Sequence, residues 1–294
     1  MKRSNLLYIL ILSPLVLVAQ NDLLKELEKE SKATTEYTAS TFKGTRLING
    51  QTVETKGKGA LEFIFAHRFG PVNGGAYELF GLDQAYVRIG LEYGLTNNLG
   101  IGIGRNSVDK TMDGHLRYKF LRQSSGVVNM PFTVTAFGNA ALRTTPRKQD
   151  ASYDIQLEDR MSYTGQLLIA RKFTSNLSLQ LMPSIVHKNT VDKSIENNDQ
   201  VALGVGGRLK VTRSVALTTE YYYRVNVHEN NPYYNPLGFG VEIETGGHVF
   251  QLIMTNSRGL TERAYLTETA GSFFDGNIHL GFNITRTFQL KKSE

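Results

Sequence analysis

The chain has no cysteine among its 294 residues. That excludes a disulfide framework, a thiolate metal site, a lipid-anchored cysteine and a haem-attachment motif. Long apolar runs are missing too. Apart from Leu6 to Val18, no stretch approaches the roughly 18 to 20 apolar residues a membrane helix needs, which excludes a helical membrane protein. Proline is scarce, 7 residues against 28 Gly, 14 Tyr and 15 Phe, a balance that suits many strands with glycine where backbones crowd. Excess charge is small: the formal +6 falls by two once Lys2 and Arg3 leave with a cleaved leader. What remains is scattered, and nucleic acid is not an expected partner.

The first residues set the destination. Lys2 and Arg3 precede the apolar run, small residues around Val18-Ala19-Gln20 end it, and polar Asn21 and Asp22 follow, so residues 1–20 read as a cleaved signal peptide rather than an uncleaved anchor. Residues 21–40 are expected to form a periplasmic N-terminal segment, in which Leu23, Leu24 and Leu27 fall at helical spacing within Asp22 to Ser31. Residues 41–58 carry Asn49-Gly50 between β-prone arms and predict a short hairpin. It is too short to cross a membrane, so it caps or enters whatever follows.

Residues 59–290 are organised by a period of two. In Val201 to Val227, one face holds Val201, Leu203, Val205, Leu209 and Val211, then Val215, Leu217, Tyr221, Tyr223, Val225 and Val227. The other holds Ala202, Gly204, Gly206, Arg208 and Lys210, then Thr218, Glu220, Arg224 and Asn226. This alternation is that of β-strands with one apolar and one polar side. Arms of about ten residues, at roughly 3.3 Å per residue and a tilt of about 45°, span the apolar band of an outer membrane. Comparable segments lie near 60–69, 84–95, 99–106, 112–122, 132–143, 160–173, 177–188, 239–245, 248–256 and 274–288, making about twelve strands. The connections 96–98, 174–176, 212–214 and 246–247 are minimal, whereas those near 70–83, 144–159, 189–200, 228–238 and 257–273 are long. Turn parity agrees, since three-residue turns place Leu95 opposite Leu99, Phe173 opposite Leu177 and Val211 opposite Val215, all apolar. The expected fold is all-β: a single transmembrane antiparallel up-and-down barrel of about 12 strands, with short periplasmic turns, longer extracellular loops and both termini in the periplasm of a Gram-negative bacterium.

The strings TFKGTRLING from Thr41, HRFG from His67, FGLD from Phe80, GIGR from Gly102, LLIARKF from Leu167, LGVGGR from Leu203 and IETGGHVFQL from Ile243 resemble an uncharacterised outer-membrane β-barrel family, a domain of unknown function. The resemblance covers roughly Thr41 to Leu290 and implies fold and location. It brings no activity and no catalytic residue.

By phase, the interior row includes Glu62, Arg68, Arg88, Glu92, Arg117, Lys119, Arg208, Lys210, Glu220, Arg224, Glu242 and Glu244 as lumen-lining candidates, with Gln166, Lys172 and Gln251. About twelve strands enclose a narrow lumen. Its mixed charges fit either a path selective for a small polar solute or a salt-bridged filling that shuts it. The glycines of Gly100 to Arg105 recur every second residue with no following helix, so they are small lumen positions rather than a nucleotide loop. The histidines His67, His115, His187, His228, His248 and His279 are dispersed, and neither metal nor cofactor is expected. Ser162, Ser178 and Ser184 lie on strands outside any GxSxG context, and no catalytic residue is assigned. Tyr93, Phe120, Phe173, Phe250 and Phe288 near short turns, with Phe69, Tyr163 and Tyr223 toward loops, read as interface girdles. Tyr233, Tyr234 and Phe80 fall in loops, as partner contacts or a folded-down plug. The leading expectation is a narrow channel or binding barrel for a small polar solute. The alternative is a closed barrel scaffolding an envelope complex, with a periplasmic protein partner; a lipid hydrolase is the third reading. The remaining partners are outer-membrane lipid and the barrel-assembly machinery.

Overall fold

The computed structural model describes residues 34–145 and 156–291. The expected signal peptide and the helix at Asp22 to Ser31 lie outside these residues. Twelve strands form a closed barrel: β1 (Ala60–Pro71), β2 (Ala85–Gly94), β3 (Leu99–Asn106), β4 (Met112–Leu121), β5 (Thr133–Leu142), β6 (Met161–Lys172), β7 (Leu177–Lys188), β8 (Asp199–Lys210), β9 (Val215–Arg224), β10 (Leu237–Thr245), β11 (His248–Thr255) and β12 (His279–Gln289). Each pairs antiparallel with its sequence neighbours, and β12 closes on β1 through pairs such as Gln289 with Ala60. Closure removes the open edges that an unpaired strand would present to lipid.

Local chemistry fixes the turns. At 96–98, 174–176 and 212–214 the first residue is threonine, and its hydroxyl accepts the amide three residues on, from Leu99 at 2.9 Å, Leu177 at 3.0 Å and Val215 at 3.0 Å. This side-chain cap holds a three-residue loop without a mirror-image turn. The flanking amides of Leu95, Phe173 and Val211 donate to Leu99, Leu177 and Val215 carbonyls, each at 2.9 Å, so the apolar rows stay in phase. Across Gly246-Gly247, Thr245 pairs with His248. Val201, Leu203, Val205, Leu209, Leu217 and Tyr223 point outward and are exposed, as are Ile103 and Leu252 on other strands. The result is an apolar belt around a cylinder, the surface a bilayer requires.

Some boundaries differ from the sequence reading. The last strand begins at His279 rather than near Phe274, because Ser272 to Ile278 turns on itself through Asn277 to Ser272 and Ile278 to Gly276 backbone bonds. Two connections break the short-and-long alternation. The segment 107–111 is brief although it lies on the long-loop rim. On the short-turn rim, 122–132 is extended by Ser124–Gly126, which pairs with Thr35–Tyr37 ahead of the barrel. One loop, 256–278, contains a helix, α1 (Glu262–Thr267), all six of whose residues are buried.

Candidate functional site

The lumen is filled from both ends. Residues 41–54 enter from the short-turn rim as a tight hairpin, with Leu47 donating to the Gly50 carbonyl and Thr52 to that of Thr45, both at 2.9 Å. Phe42, Leu47, Ile48 and Val53 are each 2% exposed or less. Helix α1 descends from the long-loop rim, and the two meet where Arg46 pairs with Glu262 at 3.0 Å and the Gln51 amide donates to the same carboxylate at 2.7 Å.

One side of this interior is apolar. Phe42, Leu47 and Val53 of the plug cluster with Phe137, Leu168, Ala170, Met182, Val186, Ala202 and Tyr222 of β5 to β9 and with Tyr265 and Leu266 of the helix. The alternation led to a charged, wettable interior row, and the large apolar or aromatic Leu168, Met182 and Tyr222 on the inner wall correct that expectation. Burying each large apolar side chain contributes roughly 1.5 to 3 kcal/mol, so this half behaves as a protein core.

The adjoining wall, β2 to β4, is charged, and Arg117 and His115 lie against Phe137 where the two meet. Arg88 Nε donates to Asp113 at 3.1 Å, Arg117 pairs with Glu92 at 2.9 Å, and His115 stands 3.4 Å from Glu92. The glycines of β3 create the room: a Cβ on Gly102 would sit 2.3 Å from the His115 ring, and one on Gly104 2.2 Å from Arg88. These paired charges are buried, which is tolerable only because each meets an opposite partner.

Most of the candidate lumen residues make contacts that hold the plug or the rims. Glu220 accepts the backbone amides of Ile48, Asn49 and Gly50 at 3.2, 2.8 and 3.0 Å, three consecutive donors forming an anion-binding concavity. Arg68 donates to Asn49 Oδ1 at 2.9 Å and to the Ile48 carbonyl at 3.3 Å, and Arg117 to the Glu54 carbonyl at 2.7 Å. Glu62 accepts from Thr45 at 2.7 Å and pairs with Lys56 at 2.6 Å; Lys119 pairs with Glu54 at 3.2 Å; Glu244 pairs with Lys43 at 2.9 Å. Arg208 bridges Glu242, at 2.7 Å, and Glu244. Arg224 leaves this group and ties the loop 225–236 through Asn231 and the Tyr233 carbonyl. Lys210 is half-buried at the short-turn rim on the inward phase.

The hairpin tip also differs from expectation. It centres on Ile48-Asn49, and none of Ile48, Asn49 or Gly50 has the positive φ that an Asn-Gly turn would require. Glu220 draws the three amides to one side, and the Tyr222 hydroxyl lies 2.0 Å from where a Gly50 Cβ would be. Glycine is there for close approach, not for an unusual turn. Ser162, Ser178 and Ser184 are buried on the lumen side, away from the outer wall where a lipid hydrolase would need them. Tyr234 remains exposed in its loop, as does Phe80.

At the short-turn rim, a vestibule of about 370 Å³ is lined by Lys43, Lys56, Glu62, His248, Thr285 and Thr287. Deeper, the gap among Arg46, Arg68, Arg88 and Leu260 measures about 10 Å³, space for about one water molecule. At the long-loop rim, Glu268 pairs with Lys188 at 2.9 Å and with Arg263, which reaches Asp109 at 3.0 Å. Burial alone would raise the Glu268 carboxyl, but Arg263 and Lys188 outweigh it and hold it down to about 2. A depressed carboxylate stabilises the folded loop above its unfolded value, near 4.5, and the contribution fades as pH falls toward the folded value. Amide exchange in 256–278 is therefore expected to be flat from pH 7 to 5 after correction for intrinsic rates, and to accelerate between 4.5 and 2. Glu268→Gln removes that acid step.

The family model described as membrane bound beta barrel domain (DUF5777) matches residues 42–288. No curated protein matches the chain. Similar solved structures include the NanC porin, at 9% identity over 79% of this chain and 100% of that one, TM-score 0.46. The KdgM porin in complex with disordered oligogalacturonate has 9% identity over 78% and 99%, TM-score 0.47. An outer membrane channel from Pseudomonas putida F1 has 14% identity over 80% and 98%, TM-score 0.43.

Proposed function

We propose a channel function from one settled premise: the chain belongs to the family of membrane bound beta barrel domains. In this reading it sits in a bacterial outer membrane with the short turns toward the periplasm, and it is a narrow channel for small polar solutes, shut by the hairpin 41–54 and helix α1. The observation that carries this is how the wall uses its charge. Glu220 turns its carboxylate to three plug amides, and Gln180 bonds the backbone at both Gln51 and Val53. Besides the ion pairs it makes within itself, the wall grips a chain segment through bonds that water or a solute can replace. Once the segment withdraws, Arg68, Arg117, Gln180 and Glu220 line a polar path whose mixed signs favour small hydrated solutes.

The second reading, a closed barrel serving as a scaffold, is favoured by the apolar half of the interior. Bilayer recordings of the purified protein separate the two. Rare, brief openings are expected from the intact chain, more frequent when the grip on the plug is cut. A folded barrel that stays silent in both forms would remove the channel reading and leave the scaffold.

A further inference from the structure

The outer wall carries a concavity on the other side of the sheet from the lumen. It measures about 440 Å³, and Phe132, Ile169, Arg171, Phe173, Leu179 and Tyr221 are among its lining residues. Register explains it. Arg171 pairs across with Leu179, Leu179 with Gly207, and Gly207 with Thr219, so the row ends in two small outward residues. The next row, Ile169, Leu181, Val205 and Tyr221, rises beside it. Four adjoining strands thus present a dent floored by Gly207 and Thr219 and walled by apolar side chains.

A cation stands at its mouth. The Arg171 guanidinium lies over the Phe173 ring at 5.1 Å and the Phe132 ring at 5.9 Å. Among the described residues it has neither an ion pair nor a hydrogen-bond acceptor, and its Nε is buried without a partner. Arg122, nearby on the same rim, donates to the Thr38 carbonyl at 3.1 Å. An unpaired guanidinium on a lipid-facing wall is costly unless it reaches the interface and finds an anion. Phosphate matches its planar fork of donors.

We propose that this groove is a site for one membrane phospholipid, with its phosphate on Arg171 and an acyl chain lying over Gly207 and Thr219 between Leu179 and Tyr221. The aromatic rings beside Arg171 occupy the depth at which headgroup and chain meet. The proposal needs only that the belt faces lipid, and it stands whether or not the lumen conducts.

Native mass spectrometry of the detergent-purified barrel, supplied with either phosphatidylglycerol or a diacylglycerol of the same chains, tests it. The unaltered protein is expected to retain one phosphatidylglycerol in preference to diacylglycerol by about tenfold, the effect of one charge-assisted hydrogen bond. Arg171→Gln abolishes the preference, Arg171→Lys keeps the charge without the fork and retains only part of the preference, and Gly207→Leu fills the groove and loses both lipids. Equal retention of the two lipids by the unaltered protein, or an undiminished preference in Arg171→Gln, overturns the proposal. Should Gly207→Leu fail to fold, the two Arg171 variants still decide it.

Discussion

Replacing Glu220 with alanine is expected to raise the open fraction of the barrel in bilayer recordings by roughly a hundredfold, corresponding to about 3 kcal/mol of lost grip on the plug. The carboxylate accepts three successive amides at the hairpin tip, from Ile48, Asn49 and Gly50. Hydrogen bonds to a charged acceptor contribute about 1.5 to 3 kcal/mol each in isolation, yet three on one carboxylate do not add, and relief of the carboxylate's own desolvation offsets part of the loss. The alanine variant leaves the amides facing a void beside Tyr222, which is fully buried. Water entering there competes for the same donors and favours withdrawal. Glu220→Gln keeps one neutral acceptor oxygen and should give a smaller rise, about tenfold. The ordering alanine, glutamine, glutamate is the discriminating result. If all three conduct alike while heat-modifiable mobility shows each barrel folded, Glu220 does not hold the plug.

This site shows where the sequence is readable. The barrel is legible because a strand with lipid on one side and a lumen on the other must alternate, and Val201 to Val227 does so on both sides of its turn. The three-residue turns add a parity that any slip would break. The occupant of the lumen is harder. Residues 41–54 have no sustained period because their contacts run in several directions: Arg46 toward Glu262, Leu47 toward Gly206, Thr45 toward Glu62. Asn49-Gly50 signals a turn and says nothing of the carboxylate that shapes it. The phase of Glu220 and Arg224 puts Tyr222 inward, but a run of three tyrosines gives no sign that it is fully buried against the plug at Gly50. Asp113 and His115 fall on the inward phase of β4, and the alternating glycines of β3, which make their room, were a usable signal. Helix α1 is six residues long, too short for periodicity to declare.

The second large effect is expected at the junction between the two halves of the filling. Glu262 is fully buried and Arg46 nearly so, and their pair at 3.0 Å joins a segment entering from one rim to a loop entering from the other. Glu262→Ala leaves the Arg46 guanidinium buried without its partner, a change that costs about 3 to 5 kcal/mol in comparable pairs. Gln51 loses an acceptor as well. Both arms should therefore loosen, with faster amide exchange in 256–278 and in 41–54 and more frequent openings in the bilayer. Arg46→Met with Glu262→Leu removes both charges and puts apolar side chains beside the existing cluster of Leu47, Tyr265 and Leu266, so the double variant should be tighter than Glu262→Ala alone. A double-mutant cycle with matched single variants is expected to return a coupling of about 1 kcal/mol or more. If exchange rises only in 256–278 while 41–54 stays protected, plug and loop are independent gates. If both rise together, one buried carboxylate joins them, and the hairpin and the opposite loop yield in the same event.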